Sequence, residues 1–299
     1  MPRARLLALL PALLLVLVGC GSAGADTEPT TGASGVSVST DTATKPEITV
    51  PDTDPPDELV VETVVEGDGA PVSDGDLLVV DYVGVLWDGG DEFDSSWERE
   101  GPSTFPIGTG GVIDGWDQGL VGQTVGSRVL LVVPPDLGYG EQGSGDIPGG
   151  ATLVFAVDIR DAFNPTAVEG GTAATDLPPG LPTVEGEPGT EPTITLGDAP
   201  APTEPEAYVL VSGEGDALPA DEALVVAAVA TSYDTGEEVL STWGAAPEVI
   251  PPDSLPGLAD AVAGQNAGTR VLLLLPAGPE GGQAVALVLD VLGTVPSGR

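Results

Sequence analysis

Leu77-Leu78-Val79-Val80-Asp81-Tyr82-Val83-Gly84-Val85-Leu86 is a ten-residue run rich in β-branched and aromatic residues, and it reads as a strand. Asp74-Gly75-Asp76 precedes it and Asp88-Gly89-Gly90 follows it, both turn signals. Leu59 to Val65 is a second such run, set off by Gly67-Asp68-Gly69, and Arg128 to Val133 and Thr152 to Ile159 add two more. A single short helix is expected around Trp116 to Val121, where Trp116 and Leu120 share a face at i and i+4. Several strands and one short helix imply an α+β fold built on an antiparallel sheet wrapped on the helix.

The same words return further along the chain. Leu224-Val225-Val226 echoes Leu78-Val79-Val80, and Trp243 stands 146 positions after Trp97. Gly264, Gln265, Gly268, Arg270 and Val271 repeat Gly122, Gln123, Gly126, Arg128 and Val129 at a spacing of 142, and Asp290 repeats Asp158 at 132. Two copies with a long segment between them are a duplication, not a solenoid.

Outside these copies the composition changes. Residues 21–57 are Thr, Ser, Gly, Ala, Pro and acid with no apolar periodicity, a composition expected to stay disordered as a tether. Residues 161–206 carry Pro-Gly and Glu-Pro pairs with nine acids and no base, and read as a disordered, extended linker. The expected organisation is therefore a leader at 1–20, a tether at 21–57, a first domain at 58–160, the linker at 161–206 and a second domain at 207–299.

The whole chain of 299 residues has 47 Asp and Glu against 8 Lys and Arg, no His and one Cys, for a formal charge of −39. That charge excludes a nucleic-acid binder working through a basic face. Without His, Ser-His and Cys-His triads and imidazole metal sites are gone, and one Cys makes no internal disulfide. No calcium-loop spacing of the EF-hand kind occurs, so no cofactor or metal is expected. Eight of the twelve aromatic residues fall between Tyr82 and Phe155, and several flank Gly or Asp in expected loops. A pocket lined by rings with a few polar groups is the form a ligand site takes.

In unbroken order, residues 58–160 carry Tyr82-Val83-Gly84, Phe93-Asp94-Ser95-Ser96, Val112-Ile113-Asp114-Gly115-Trp116, Gly119-Leu120, Gly138-Tyr139-Gly140 and Thr152-Leu153-Val154-Phe155. Together these resemble the signature of the FKBP-type peptidyl-prolyl cis-trans isomerases. The resemblance implies a proline pocket walled by Tyr82, Phe93, Phe105 and Phe155, with Trp116 as its floor. It further implies Val112 and Ile113 along one wall, the Ile113 N–H binding a substrate carbonyl, Tyr139 donating its hydroxyl, Ile147 closing the rim and Asp94 as the polar group inside. Glu141 to Gly150 departs from the family pattern, being Gly-rich and lacking a His often found there. The implied partners are proline-containing polypeptides and macrolide inhibitors. The implied reaction needs no nucleophile, metal or nucleotide.

At the repeat spacings, Tyr82, Phe93 and Asp94 become Ala228, Val239 and Leu240, while Ile113, Trp116 and Phe155 become Leu255, Leu258 and Leu287. The second copy is expected to fold as a degenerate FKBP-like domain with a collapsed pocket and no activity. At the N-terminus, Arg3 and Arg5 precede an apolar run from Leu6 to Val18, which describes an export signal. Leu17-Val18-Gly19-Cys20 resembles the lipobox of bacterial lipoproteins, implying lipidation of Cys20 and anchoring at the extracytoplasmic face of the cell membrane. The expected function is thus a membrane-tethered isomerase assisting exported proteins. The competing reading is a non-catalytic module that holds proline-containing segments.

Overall fold

The computed structural model describes residues 29–99, 101–168, 170–278 and 282–296. The chain opens with three short strands, β1 (Thr30–Thr31), β2 (Ser37–Val38) and β3 (Ile48–Thr49), which pair in that order. The first large sheet follows: β4 (Val60–Val65), β5 (Leu77–Leu86), β6 (Glu92–Ser95), β7 (Ser103–Pro106), then α1 (Asp114–Leu120), β8 (Arg128–Val133) and β9 (Leu153–Phe163). Its spatial order is β4-β8-β9-β5-β6, with β7 also paired to β5, and every pairing is antiparallel.

β5 is buried along nearly its whole length because both faces of its sheet are covered. On one face Leu78, Val80 and Tyr82 pack with Val129, Leu131, Val133, Phe155 and Val157 against Trp116 and Leu120 of α1. Only a closely seated helix fits there. A Cβ on Gly115 would come within 2.5 Å of the Val133 side chain, so glycine is what lets α1 lie on β8. On the other face Val83, Val85, Leu130, Val132, Val154 and Ala156 pack against Val36 and Val38, which are themselves 0% exposed. A sheet covered on two faces reads as a continuous apolar run and not as an alternation.

The second sheet repeats this plan. It comprises β10 (Thr172–Ala173) and, after a separate two-stranded sheet of β11 (Thr183–Glu185) and β12 (Thr193–Thr195), β13 (Glu206–Ser212), β14 (Ala223–Ser232), β15 (Glu238–Ser241), β16 (Glu248–Ile250), β17 (Thr269–Leu275) and β18 (Val285–Val295), with α2 (Leu258–Val262) between β16 and β17. Its order is β10-β13-β17-β18-β14-β15, with β16 on β14. The register agrees residue for residue. Gly84 faces Asp94 and Phe155 in the first sheet, and Ala230 faces Leu240 and Leu287 in the second.

Residues 29–57 and most of 161–206 differ from the disorder expected of them. Arg128 is 0% exposed, and its guanidinium holds Asp158 with two bonds of 2.6 and 2.7 Å. Its remaining N–H groups donate to the carbonyls of Ser39 at 2.7 Å and Thr44 at 3.0 Å. Arg270 is 1% exposed, pairs with Asp290 in the same way, and donates to the carbonyls of Gly186, Glu187 and Thr190. A buried guanidinium needs every donor satisfied, and in both copies an arm preceding the sheet supplies the acceptors. The arms are themselves a repeat: Thr44-Lys45-Pro46-Glu47-Ile48-Thr49 corresponds to Thr190-Glu191-Pro192-Thr193-Ile194-Thr195, at 146. Each structural unit thus begins with its arm, well before residues 58 and 207.

The two units also touch. Leu77, Val79, Phe163 and Val168 pack with Val225, Leu292 and Val295. The Phe163 ring occupies the space a Cβ on Gly293 would need, 2.4 Å from its Cε1. They are joined by apolar contact as well as by chain.

Candidate active site

α1 and four strands, β5, β6, β7 and β9, bring the aromatic residues together. Trp116, two residues into the helix and 4% exposed, lies under the open end of the sheet. Three rings stand on it nearly at right angles: Tyr82 at 5.3 Å and 87°, Phe105 at 5.3 Å and 83°, and Phe155 at 5.4 Å and 84°. Phe93 meets Phe155 edge-on at 5.5 Å. Such edge-to-face contacts are the favoured aromatic geometry, so the walls are held by the floor. Gly84 keeps this possible, because a Cβ there would lie 2.7 Å from Phe93 and 2.9 Å from Phe155.

These rings enclose a cavity of about 230 Å³, completed by Asp94, Gly111, Val112, Ile113 and Tyr139. Nine of the ten pocket residues expected from sequence therefore line one cavity. The tenth, Ile147, does not line it. It is half-buried against the same cluster and closes its own turn with Ser144 through a pair of backbone hydrogen bonds. The Gly-rich loop folds back on itself there, which draws Ile147 off the rim.

Polar groups are placed sparingly. The Tyr82 hydroxyl donates to Asp94 Oδ2 at 2.5 Å, and the Ser95 N–H donates to Asp94 Oδ1 at 2.9 Å. Arg99, which sequence reasoning missed, forms an ion pair with Asp94 and donates to the Tyr82 oxygen at 3.2 Å. Burial, and next the hydrogen bond to Asp94, push the Tyr82 hydroxyl up to about 12, so it stays protonated and donating across the neutral range. The only sequence signal for Arg99 was its rarity as a base close to Asp94.

Three donors in and beneath the cavity walls have no acceptor among the described residues, the first two of them open to a ligand. The Ile113 N–H precedes α1 and makes no intrachain bond, the Tyr139 hydroxyl is free on a residue 39% exposed, and the Trp116 indole N–H is buried without a partner. An apolar box with free donors suits a ligand that brings carbonyl oxygens and an apolar ring. Among the described residues no group of three His, Cys, Asp or Glu is placed to hold a metal ion.

Residues 69–160 match the family model described as FKBP-type peptidyl-prolyl cis-trans isomerase. The chain is 44% identical to the "FK506-binding protein" of Streptomyces anulatus, over 38% of this chain and 94% of that protein. It is 43% identical to the "Probable FK506-binding protein" of Corynebacterium glutamicum, over 40% of this chain and 98% of that protein. The chain belongs to the FKBP-type peptidyl-prolyl cis-trans isomerases. It is also 56% identical to "FK506-binding protein 2B" of Rhizopus delemar, over 29% of this chain and 42% of that longer protein. The first sheet and its helix form an FKBP-like fold, and the second sheet lies outside the residues matched by the family model.

That second sheet carries none of the pocket chemistry of the FKBP-type isomerase site. Ala228 and Leu258 are buried in the core where Tyr82 and Trp116 stand in the first. Val239 and Leu240 do not fill the vacated space, however. They are 51% and 43% exposed; the ring that Phe93 meets in the first sheet, Phe155, is replaced here by Leu287. Cys20 lies outside the described residues, and among those described no helix is long and apolar enough to cross a membrane.

Proposed function

We propose that this isomerase works through the cavity over Trp116, on proline-containing segments of exported proteins, from a lipid anchor at Cys20 on the outer face of the membrane. The observation that carries the site is the set of rings at right angles to Trp116, with free donors beside them. Rotation about an X-Pro bond crosses a barrier near ~20 kcal/mol and takes tens to hundreds of seconds unaided. The twisted amide at the top has lost its resonance and is less polar than either planar form. A water-poor aromatic box therefore favours it relative to bulk water. The Ile113 N–H and the Tyr139 hydroxyl are positioned to hold substrate carbonyls while the proline ring rests on Trp116. Asp94, tied down by Tyr82, Ser95 and Arg99, keeps the wall rigid and moves no proton.

The same cavity is the binding place for a macrolide of the FK506 kind, as the names of the relatives indicate for those proteins. The second unit is a degenerate copy that folds and does not catalyse. The anchor is supported by the basic, apolar leader ending in the sole Cys of the chain, and two acyl chains give stable attachment where one is marginal. Changing Cys20→Ala releases the protein into the soluble fraction if this reading is right. Unchanged membrane retention of that variant refutes the anchor.

A further inference from the structure

Every cation among the described residues is already committed to a carboxylate. Lys45 holds Glu92 and Glu98, Arg99 holds Asp94, Arg128 holds Asp158, Arg160 holds Asp81 and Asp158, and Arg270 holds Asp290. Residues 58–163 contain 20 Asp and Glu against three Arg, a formal −17. The segments that carry the pocket follow this rule. Asp114 follows Ile113 directly, and Asp136 and Glu141 flank Tyr139. All three acids are exposed and make no ion pair among the described residues.

The site is marked independently of that charge. Trp116, 4% exposed, lines the cavity with its indole N–H unpartnered. A cavity of about 230 Å³ is below the range of pockets that enclose whole drug-sized ligands, so it takes the proline ring, and the flanking chain runs out across the rim. At 3.8 Å per Cα step, the three acids lie within roughly 12 Å of a lining residue. Substrate residues two or three positions from the proline reach roughly 7–10 Å. Both lengths are close to the screening distance of roughly 8–10 Å at ordinary salt.

We infer that this isomerase selects prolines flanked by Lys or Arg, with Asp114, Asp136 and Glu141 attracting the flanking cations and no unpaired cation among the described residues to favour acids. The inference rests on the isomerase reading of the same cavity. An unpaired negative rim raises the local concentration and the encounter rate of cationic segments and lowers those of anionic ones. Pocket and rim divide the work: the rings recognise proline, and the acids choose among prolines.

The test uses the intact chain and three otherwise identical proline peptides, with Lys, Gln or Glu at the second and third positions either side of the proline. Exchange between cis and trans is read by magnetisation-transfer NMR, which needs no coupling protease with a charge preference of its own. In low salt kcat/KM for the Lys peptide should exceed that for the Glu peptide by on the order of tenfold. At about 1 M salt, where the screening length is roughly 3 Å, the two should converge. The triple variant Asp114→Asn, Asp136→Asn, Glu141→Gln should lose most of the low-salt difference. Equal rates for the Lys and Glu peptides in low salt overturn the inference, as does a preference that survives high salt or the triple substitution. Silence toward all three peptides, the Gln peptide included, refutes the isomerase reading and this inference with it.

Discussion

Replacing Arg128 by Met should detach the arm and destabilise the catalytic unit together. The Arg128 and Asp158 side chains are 0% and 2% exposed, so the pair is a buried one. Removing one partner of a buried pair typically costs ~3–5 kcal/mol, and the low end applies here because Asp158 keeps Arg160 at 3.5 Å. The carbonyls of Ser39 and Thr44 lose charged donors at the same time, an effect that overlaps with the first. Against a total stability of about 5–15 kcal/mol, this is about a fifth or more. Lys45→Met, which removes two ion pairs to carboxylates that are 41% and 81% exposed, should cost under ~1 kcal/mol. The assay is urea unfolding followed by tryptophan fluorescence, with amide exchange read over Ser37–Thr49. Met at 128 with Leu at 158 should recover much of the loss, since an apolar pair needs no compensation. Burial already pushes the Asp158 carboxyl up and Arg128 opposes this. Without Arg128 the folded state holds that proton more tightly, so the deficit should narrow as pH falls toward the carboxylate range. A variant within ~1 kcal/mol of wild type, with arm protection unchanged, would refute the reasoning.

Two further outcomes follow from the pocket. Gly84→Ala pushes a methyl into Phe93 and Phe155, so it should cost ~1–3 kcal/mol of stability by overpacking and lower kcat/KM in the exchange assay more than Gly89→Ala does at a turn remote from the rings. Tyr82 has its folded value raised from 10.0 to about 12; its contribution is complete below about 10 and is lost as pH rises toward about 12, so the difference in urea stability between wild type and Tyr82→Phe should shrink over that window and stay flat below it.

The strand at β5, the short helix and the pocket residues were legible because each leaves a local mark. Leu77 to Leu86 is β-rich, Trp116 and Leu120 are four apart, and the aromatic words stand in an order that few folds share. The arms were not legible, since Thr, Ser, Gly and Pro carry no periodicity and their order comes from elsewhere. What orders them is Arg128 and Arg270, whose spare donors require carbonyls, and the outer sheet face of Leu130, Val132, Val154 and Ala156, which requires a cover. A strand such as Arg128 to Val133, apolar at both alternations, carried that information in principle. Arg99 escaped notice because its role depends on β6 turning it back over Tyr82 and Asp94. Ile147 was misplaced for the reverse reason. Its neighbour Ser144 captures it within a Gly-rich turn, which a family pattern with a different loop does not foresee.

The most direct test of the account is the cis–trans exchange rate of the neutral proline peptide alone, with the intact chain, and with the Trp116→Leu chain, whose fold is verified by its unfolding transition. Leu is the residue the second unit already has at this place, Leu258, fully buried in its core. The account predicts acceleration by the intact chain and a loss of on the order of tenfold or more in the variant, from removing the surface on which three rings and the substrate proline rest. An intact chain that leaves the peptide at its uncatalysed rate, or a folded variant as active as wild type, would contradict it.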